Sequence, residues 1–156
     1  MRPTYEQQHD IDNQAEMAQR IMRHMRFDEM EDQGKYAVID YRAVRDGKTA
    51  AWIECKARGY TWEWYERRGT VLLSREKVRT GLSRSQRDDV PFGFAVRDPT
   101  TMEIRMYYVK MPLSATERSF KVEAGGRRDR GDAADIEPCV WIPTNRFAMR
   151  FRLLRS

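Results

Sequence analysis

The sequence predicts a mixed α/β domain with a mainly antiparallel sheet, and three observations support that fold class. An amphipathic segment lies near the N-terminus, an Asp-Gly pair joins two strand-like runs, and two more strand-like runs follow further along the chain. The chain has 156 residues, of which 40% are hydrophobic and 34% charged. That length and composition suit a single domain, 1–156, with one buried core. No internal repeat or linker divides it.

The first predicted element is a helix from Asp12 to Phe27. Its apolar residues recur at helical spacing and share one face, namely Ala18, Ile21, Met22 and Met25. Asp12 is a residue type that caps helix N-termini by accepting a backbone hydrogen bond. Glu16 lies on a different face of the same helix, together with basic residues.

The next two predicted elements form a β-hairpin. One strand-like run extends from Tyr36 to Val44, and its partner extends from about Thr49 to Arg58. Asp46-Gly47 lies between them and favours a type I′ turn, in which both central residues have positive φ. The polar stretch that separates the first helix from Tyr36 is expected to be a loop.

The remaining predicted elements alternate between strand and helix. The aromatic stretch 60–68 is left unassigned, residues 71–73 form a short strand or a helix lead-in, and Ser74 caps a helix that ends at about Leu82. Two further strands are expected at 91–97 and 103–110, joined by a turn at Asp98-Pro99. Beyond them we expect a Gly- and Arg-rich loop at 124–134, a short strand at 139–143, and a tail at 147–154 that docks on the body.

Composition narrows the classes of function. The net charge is +5, and most of the excess comes from Arg, which pairs well with phosphate. From charge alone, two interpretations are equally favoured: a protein that binds a phosphate-bearing partner, and a soluble basic protein that has no such partner. The two cysteines, Cys55 and Cys139, form no CxxC pair, which argues against zinc bound by cysteine.

The sequence also bears on location. The N-terminal segment has no apolar region typical of a secretory signal, and no apolar run approaches the roughly 20 residues that cross a bilayer. We therefore expect a reducing, cytoplasmic location with free thiols and no membrane partner.

The segment WIECKARG, residues 52–59, carries the candidate chemistry. Side chains alternate faces along a strand, so Glu54 and Lys56 share one face while small apolar residues face the core under a helix. Asp40 on the preceding strand is expected opposite about residue 53, give or take a bulge, and therefore close to Glu54. Two acids and a lysine at a solvent-accessible point suit hydrolysis of a phosphodiester.

Each of these residues has an expected role. Asp40 and Glu54 are predicted to hold Mg²⁺, which prefers oxygen ligands, and Glu16 to complete the metal shell or place a second ion. Lys56 is expected to orient the attacking water and to stabilise the transition state by its charge. The alternative is a cross-strand salt bridge on an exposed sheet face, worth about 0–1 kcal/mol and without a function.

Basic and aromatic residues outside this motif are candidate contacts to nucleic acid. The basic candidates are Arg58 beside the motif, Arg75 and Lys77 at the start of the second helix, and Arg127, Arg128 and Arg130 in the Gly- and Arg-rich loop. The aromatic residues of the unassigned stretch include Tyr60 and Trp64. Such residues stack on unpaired bases in some proteins, but clusters of this kind more often pack in or around a core.

The residues of the motif resemble the PD-(D/E)XK nuclease superfamily, which has the restriction-endonuclease-like fold. Its signature is an acid on one strand and acid-x-Lys on the next, matched here by Asp40 in VIDYR and by Glu54 and Lys56 in WIECKAR. Glu16 matches an acid on the first helix of several branches. Lys77 in LLSREK resembles small phage-borne and resolvase-like members. Ile39 stands where a Pro often precedes the Asp.

The resemblance covers roughly residues 12–110 and leaves 111–156 as a C-terminal extension with the basic loop. It implies an αβββαβ core with a mixed central sheet flanked by helices. It also implies an endonuclease that hydrolyses DNA with Mg²⁺, or with Mn²⁺ in its place, with Asp40 and Glu54 as metal ligands and Lys56 as the catalytic lysine.

Further expectations concern partners and source. A homodimer would allow two sites to cut both strands of a duplex, and the resemblance suggests a phage gene expressed in a bacterial host. Two alternatives are left open at this point. One is a non-catalytic nucleic-acid-binding protein that retains the fold, and the other is an accessory protein that binds other phage or host proteins.

Overall fold

Three helices and two β-sheets make up the described part of the chain. The computed structural model describes residues 8–57, 59–111, 115, 120–126 and 136–153. The helices are α1 (Gln8–Met25), α2 (Trp62–Arg68) and α3 (Arg75–Asp88). The strands are β1 (Glu29–Asp32), β2 (Tyr41–Arg45), β3 (Lys48–Lys56), β4 (Thr70–Ser74), β5 (Phe92–Arg97), β6 (Ile104–Val109), β7 (Lys121–Gly126), β8 (Ile136–Pro143) and β9 (Met149–Phe151). A short 3-10 helix, Thr144–Arg146, precedes β9.

The larger sheet has six strands in the order β1-β2-β3-β5-β6-β9, and the smaller has three in the order β4-β8-β7. In the larger sheet β3 and β5 run parallel and the other neighbours run antiparallel. The elements α1, β1, β2, β3, α3 and β5 occur in the predicted αβββαβ order, with α2 and β4 inserted between β3 and α3. The predicted mixed fold with a mainly antiparallel sheet is therefore confirmed.

A separate core lies on each face of the larger sheet. On one face α1 packs Met17 and Ile21 against small residues of β3, including Ala51. On the other face α2, α3 and the smaller sheet enclose a second core that includes Leu82 and Phe94. Because β3 lies inside the sheet and both of its faces are covered, a charged side chain on it must be accommodated by specific partners.

The predicted hairpin forms, although its first strand is shorter than expected. Asp46 and Gly47 have φ of 53° and 72°, as a type I′ turn requires. β2 begins at Tyr41 instead of Tyr36. The polar stretch predicted as a loop contains β1, which pairs with β2 and is stabilised by a cross-strand ion pair between Arg42 and Glu31 (3.0 Å). Polar residues are typical of an edge strand, which is why the period-two apolar pattern is absent there.

Two helices also differ from the prediction. α1 begins at Gln8, so Asp12 lies inside the helix and does not cap it. The unassigned aromatic stretch contains α2, which Thr61 caps by accepting a hydrogen bond from the Trp64 N–H (3.2 Å) and which ends at Gly69 in the left-handed region.

The second predicted helix begins where expected and ends later. Ser74 directly precedes α3, but its side chain makes no capping hydrogen bond, and the helix continues past Leu82 to Asp88. The residue Gly81 inside this helix weakened the sequence signal for its second half.

The C-terminal part of the chain joins both sheets. The short strand predicted at 139–143 is the second half of β8, and the predicted loop at 124–134 overlaps the end of β7. The tail docks as expected, because β9 pairs with β6 and places Phe151 opposite Ile104. Among the described residues, no helix has the length and apolar character needed to span a membrane.

At Gly81 the backbone of α3 lies close against the Phe92 side chain of the sheet, with no room for a larger residue. A Cβ at this position would lie 2.5 Å from Cε1 of Phe92, whose ring is 1% exposed and enclosed by the core. We expect Gly81→Ala to lower the free energy of unfolding by about 1–3 kcal/mol, although Ala normally stabilises a helix by about 1 kcal/mol relative to Gly. Urea unfolding measures this change.

Ser83→Ala on the exposed side of α3 is the control, and we expect it to change stability by less than about 0.5 kcal/mol. A Gly81→Ala protein as stable as the wild type would contradict the close packing of α3 on Phe92.

Candidate active site

The strand β3 carries Glu54 and Lys56 on the face that α3 covers. The neighbouring Ile53 and Cys55 face the α1 core, so the predicted alternation of faces is confirmed. Glu54 is 3% exposed, whereas Lys56 is half-buried. The expectation that both lie at a solvent-accessible point is therefore wrong for Glu54, because β3 is an inner strand and α3 packs over it.

Asp40 and Glu54 are neighbours across β2 and β3, and each carboxyl group accepts a hydrogen bond from a backbone N–H of the other strand segment. The Asp40 N–H donates to Glu54 Oε1 (3.2 Å), and the Cys55 N–H donates to Asp40 Oδ2 (2.9 Å). The strand register explains this arrangement, since Tyr41 pairs with Ile53 and the next position along each strand holds Asp40 and Glu54. The two carboxyl groups therefore converge, as the sequence predicted.

A β-bulge accounts for the difference between the predicted and observed registers. A regular hairpin counted from the Asp46-Gly47 turn would pair Asp40 with residue 53. The observed pairing of β2 with β3 shifts by one residue between Ala43 and Val44. The shift places Asp40 beside Glu54, on the same face of the sheet.

Lysines from two different elements lie on this face of the sheet. Lys77 of α3 donates to Glu54 Oε2 and forms an ion pair with it. Lys56 donates to the backbone carbonyl of Leu72 on β4, with 2.9 Å between Nζ and the oxygen. The sequence predicted Lys77 as a contact to DNA, whereas the structure places it inside the site as the counter-charge of Glu54.

Burial raises the pKa of Glu54 to about 8, from an ordinary value of 4.5. Removal of the carboxylate from water is the largest cause, and the negative charge of Asp40 adds to it. Lys77 acts in the opposite direction without cancelling the effect. Without a bound cation, the buried carboxyl group therefore holds its proton more strongly than an exposed glutamate does.

The structure does not bring Glu16 together with Asp40 and Glu54. The Glu16 carboxylate accepts a hydrogen bond from Arg97 (3.0 Å) and lies 3.5 Å from Arg20. Glu16 belongs to α1, which packs on the opposite face of the sheet, so its carboxylate is engaged in a structural ion-pair network. The expectation that Glu16 completes the metal shell has no support in this geometry.

Two contacts at the site escaped the sequence analysis. From α1, Gln14 Nε2 donates to the backbone carbonyl of Cys55 (3.4 Å), so α1 reaches the motif through an amide and not through a carboxylate. The Leu72 carbonyl that holds Lys56 is a backbone group, which no residue pattern could have revealed. Burial raises the pKa of the Cys55 thiol well above its ordinary value, which makes this thiol a poor nucleophile.

The other basic candidates divide between the surface of α3 and segments that the structure does not describe. Arg75 and Arg79 line a shallow surface groove with Thr80 and Glu137, whereas Lys77 between them points into the site. A second shallow groove continues along α3 from Arg79 to Arg87. The remaining candidates lie outside the described residues, and these are Arg58, Arg127, Arg128 and Arg130.

The donor set of the acid pair fits a hard divalent cation. Among the described residues, no three side chains of His, Cys, Asp or Glu cluster closely enough to hold a metal together. Mg²⁺ does not require three, because it commonly binds one or two carboxylates and keeps several waters. A cation at Asp40 and Glu54 would also offset the repulsion between two carboxylates, one of which is buried.

A family model described as "Phage putative PDDEXK endonuclease" matches residues 1–150. The chain belongs to this family. The resemblance to PD-(D/E)XK nucleases inferred from Asp40, Glu54 and Lys56 is therefore confirmed at the level of the family. The mixed sheet flanked by helices is the restriction-endonuclease-like fold. Neither the search of curated proteins nor the search of solved structures found a match.

The raised pKa of Glu54 predicts how stability depends on pH in EDTA. Between the ordinary value of 4.5 and the folded value of about 8, the folded protein binds a proton that the unfolded chain has released. This contribution to stability is fully present below the lower value and is lost as the pH rises through the higher one. The free energy of unfolding should fall with a limiting slope of about 1.4 kcal/mol per pH unit.

Urea unfolding across this pH range tests the prediction. The wild type is compared with Glu54→Gln, in which residue 54 has no carboxyl group to titrate. We expect the stability difference between the two proteins to change with pH. Glu63→Gln, at an exposed position on α2, is the control and should follow the wild type. Parallel profiles for the wild type and Glu54→Gln would show that Glu54 titrates normally.

Proposed function

We propose that this protein is a metal-dependent endonuclease that hydrolyses phosphodiester bonds in DNA, with Mg²⁺ as the metal and Mn²⁺ able to replace it. The observation that carries the proposal is the convergence of the Asp40 and Glu54 carboxyl groups, each held by a backbone N–H, with Lys77 of α3 paired to Glu54 and Lys56 on the same face of β3. Membership of a family described as phage endonucleases gives this arrangement a chemical context.

Asp40 and Glu54 would hold the cation. The N–H groups of Asp40 and Cys55 fix the orientation of both carboxyl groups in the absence of a ligand, so the main rearrangement on binding would be displacement of the Lys77 ammonium from Glu54. When bound, Mg²⁺ would neutralise phosphate charge and lower the pKa of a bound water.

The two lysines would have separate roles. Lys56 supplies a positive charge whose position is set by the Leu72 carbonyl, where it can stabilise the negative charge that develops on the phosphate. Lys77 hydrogen-bonds to Glu54 in the metal-free protein and compensates its charge when the carboxyl group is ionised, and so keeps the site assembled. The catalytic lysine implied by the resemblance is thus Lys56, and Lys77 is a positioning residue.

The outer face of α3 would contact the phosphate backbone. Arg75, Arg79 and Arg87 line the shallow grooves along this helix. Their charge adds to a net charge of +5 and suits contact with DNA that does not depend on sequence. Arg58, Arg127, Arg128 and Arg130 remain predicted contacts, and the homodimer remains a prediction.

Cleavage of a supercoiled plasmid tests the proposed activity. We expect nicking in Mg²⁺ or Mn²⁺ and none in EDTA. Asp40→Asn, Glu54→Gln and Lys56→Met should each lower the rate by about 100-fold or more, because each removes a metal ligand or a charge that acts in the transition state.

Lys48→Met is the matched control for Lys56→Met, since it removes a lysine from the exposed start of the same strand. It should cleave at close to the wild-type rate. Binding of the plasmid without cleavage in every metal would leave a non-catalytic DNA-binding protein. Equal cleavage by the wild type and the three site variants would place the activity elsewhere.

A further inference from the structure

Two exposed tyrosines lie in the chain segments that enter and leave the candidate site. Among the described residues, the exposed large apolar side chains are Tyr36 (80%), Leu153 (53%) and Tyr60 (46%). Tyr36 lies four residues before Asp40, and Tyr60 lies four residues after Lys56. Because a chain spans at most about 3.6 Å per residue, each tyrosine Cα lies within about 14 Å of the Cα of that site residue.

The ring of Tyr60 forms the outer layer of a stack that is fixed to the core. It lies on the indole of Trp64 with 4.0 Å between ring centroids and 11° between the ring planes. Trp64 in turn contacts Tyr65 edge to face, and Tyr65 is 3% exposed. The guanidinium of Arg68 lies 4.5 Å from the centre of the Trp64 ring. The result is an exposed aromatic plane with a rigid support and a cation nearby.

Tyr36 occupies a turn on the other side of the acid pair along the chain. The Ala37 N–H donates to the carbonyl of Gly34 (3.1 Å), and the Gly34 N–H donates to Asp32 Oδ1 (2.7 Å), so this turn has defined hydrogen bonds. Lys35 Nζ lies 5.8 Å from the centre of the Tyr36 ring. Here too an exposed aromatic ring has a cation beside it.

We propose that Tyr36 and Tyr60 stack on unpaired bases, so that the substrate of the candidate site is DNA with a single-stranded region. This inference rests on the proposed function and specifies its substrate class. Bases in a duplex already stack on one another, whereas unpaired bases gain roughly 1–3 kcal/mol each by stacking on an aromatic side chain. Lys35 at the Tyr36 ring and Arg68 at the Trp64 ring that supports Tyr60 complement the phosphates of the same strand.

Fluorescence anisotropy in EDTA tests this proposal without cleavage. The probes are a labelled oligothymidylate of about 20 nucleotides, which exceeds one typical single-strand site, an abasic strand of the same length, and a duplex of that length. The wild type should bind the oligothymidylate more tightly than either of the other two, because only this probe offers accessible bases.

Tyr36→Leu and Tyr60→Leu should each weaken binding of the oligothymidylate by about 5- to 100-fold, with little effect on the abasic strand. Tyr36→Phe and Tyr60→Phe keep the aromatic ring and should bind like the wild type. Leu153→Ala, at an exposed apolar position away from the motif, is the control for loss of surface area and should also bind normally. Urea unfolding of Tyr36→Leu should match the wild type because that ring is 80% exposed. Tyr60→Leu loses the stack on Trp64 and should unfold at a somewhat lower urea concentration, while remaining folded under the binding conditions.

Three results would overturn the proposal: tighter binding of the duplex by the wild type, unchanged binding by both Leu variants, or equal losses on the abasic strand and the oligothymidylate. Unchanged DNA binding would point instead to a protein contact at these rings. Because binding is measured without metal, the result is independent of nicking activity. Tyrosine-dependent binding without cleavage in any metal would reject the proposed hydrolysis and retain the stacking site.

Discussion

The candidate site depends on the pairing of β2 with β3 in one register. In that register the N–H of Asp40 meets the carboxylate of Glu54, and the N–H of Cys55 meets the carboxylate of Asp40. A slip of one residue would send one of the acids to the opposite face of the sheet. Ala43 pairs with Ala51 and Val44 with Thr49, so one extra residue in β3, Ala50, sets this register and brings the two carboxyl groups together.

The second constraint is the position of α3, which makes a buried glutamate tolerable. Glu54 lies on an inner strand beside Phe94, and a carboxylate there is destabilising unless it is paired. Lys77 reaches it only because α3 packs closely on the sheet, where Gly81 lies against Phe92. A helix that contributes to the core therefore also supplies the counter-charge of the site. Packing and electrostatics at this point cannot be separated.

The sequence predicted those features that are encoded by local pattern. The alternation in WIECK separated the core residues from Glu54 and Lys56, and Asp46-Gly47 identified the hairpin that brings Asp40 near them. Features that arise from tertiary contacts were missed. β1 is a polar edge strand held by Arg42 and Glu31, and it has no apolar period to detect.

The same distinction applies to the charged residues of the site. Spacing along α3 could not show that Lys77 points inward while Arg75 lines a surface groove, because that depends on the angle at which the helix packs. Glu16 has the residue type of a metal ligand, but its partner Arg97 lies at the end of β5 and is distant in sequence. The acid-x-Lys pattern thus identifies the strand that carries Glu54 and Lys56. The positions of Lys77 and Glu16 relative to that strand can be known only from the structure.

The most direct test of the account is the anomalous scattering of crystals soaked in Mn²⁺. We expect an anomalous peak from Mn²⁺ within coordination distance of carboxylate oxygens from both Asp40 and Glu54, with the Lys77 ammonium displaced from Glu54. Crystals of Glu54→Gln should lack that peak. Manganese bound only at other positions, with the pair of Lys77 and Glu54 intact, would contradict the assignment of this acid pair as a metal site.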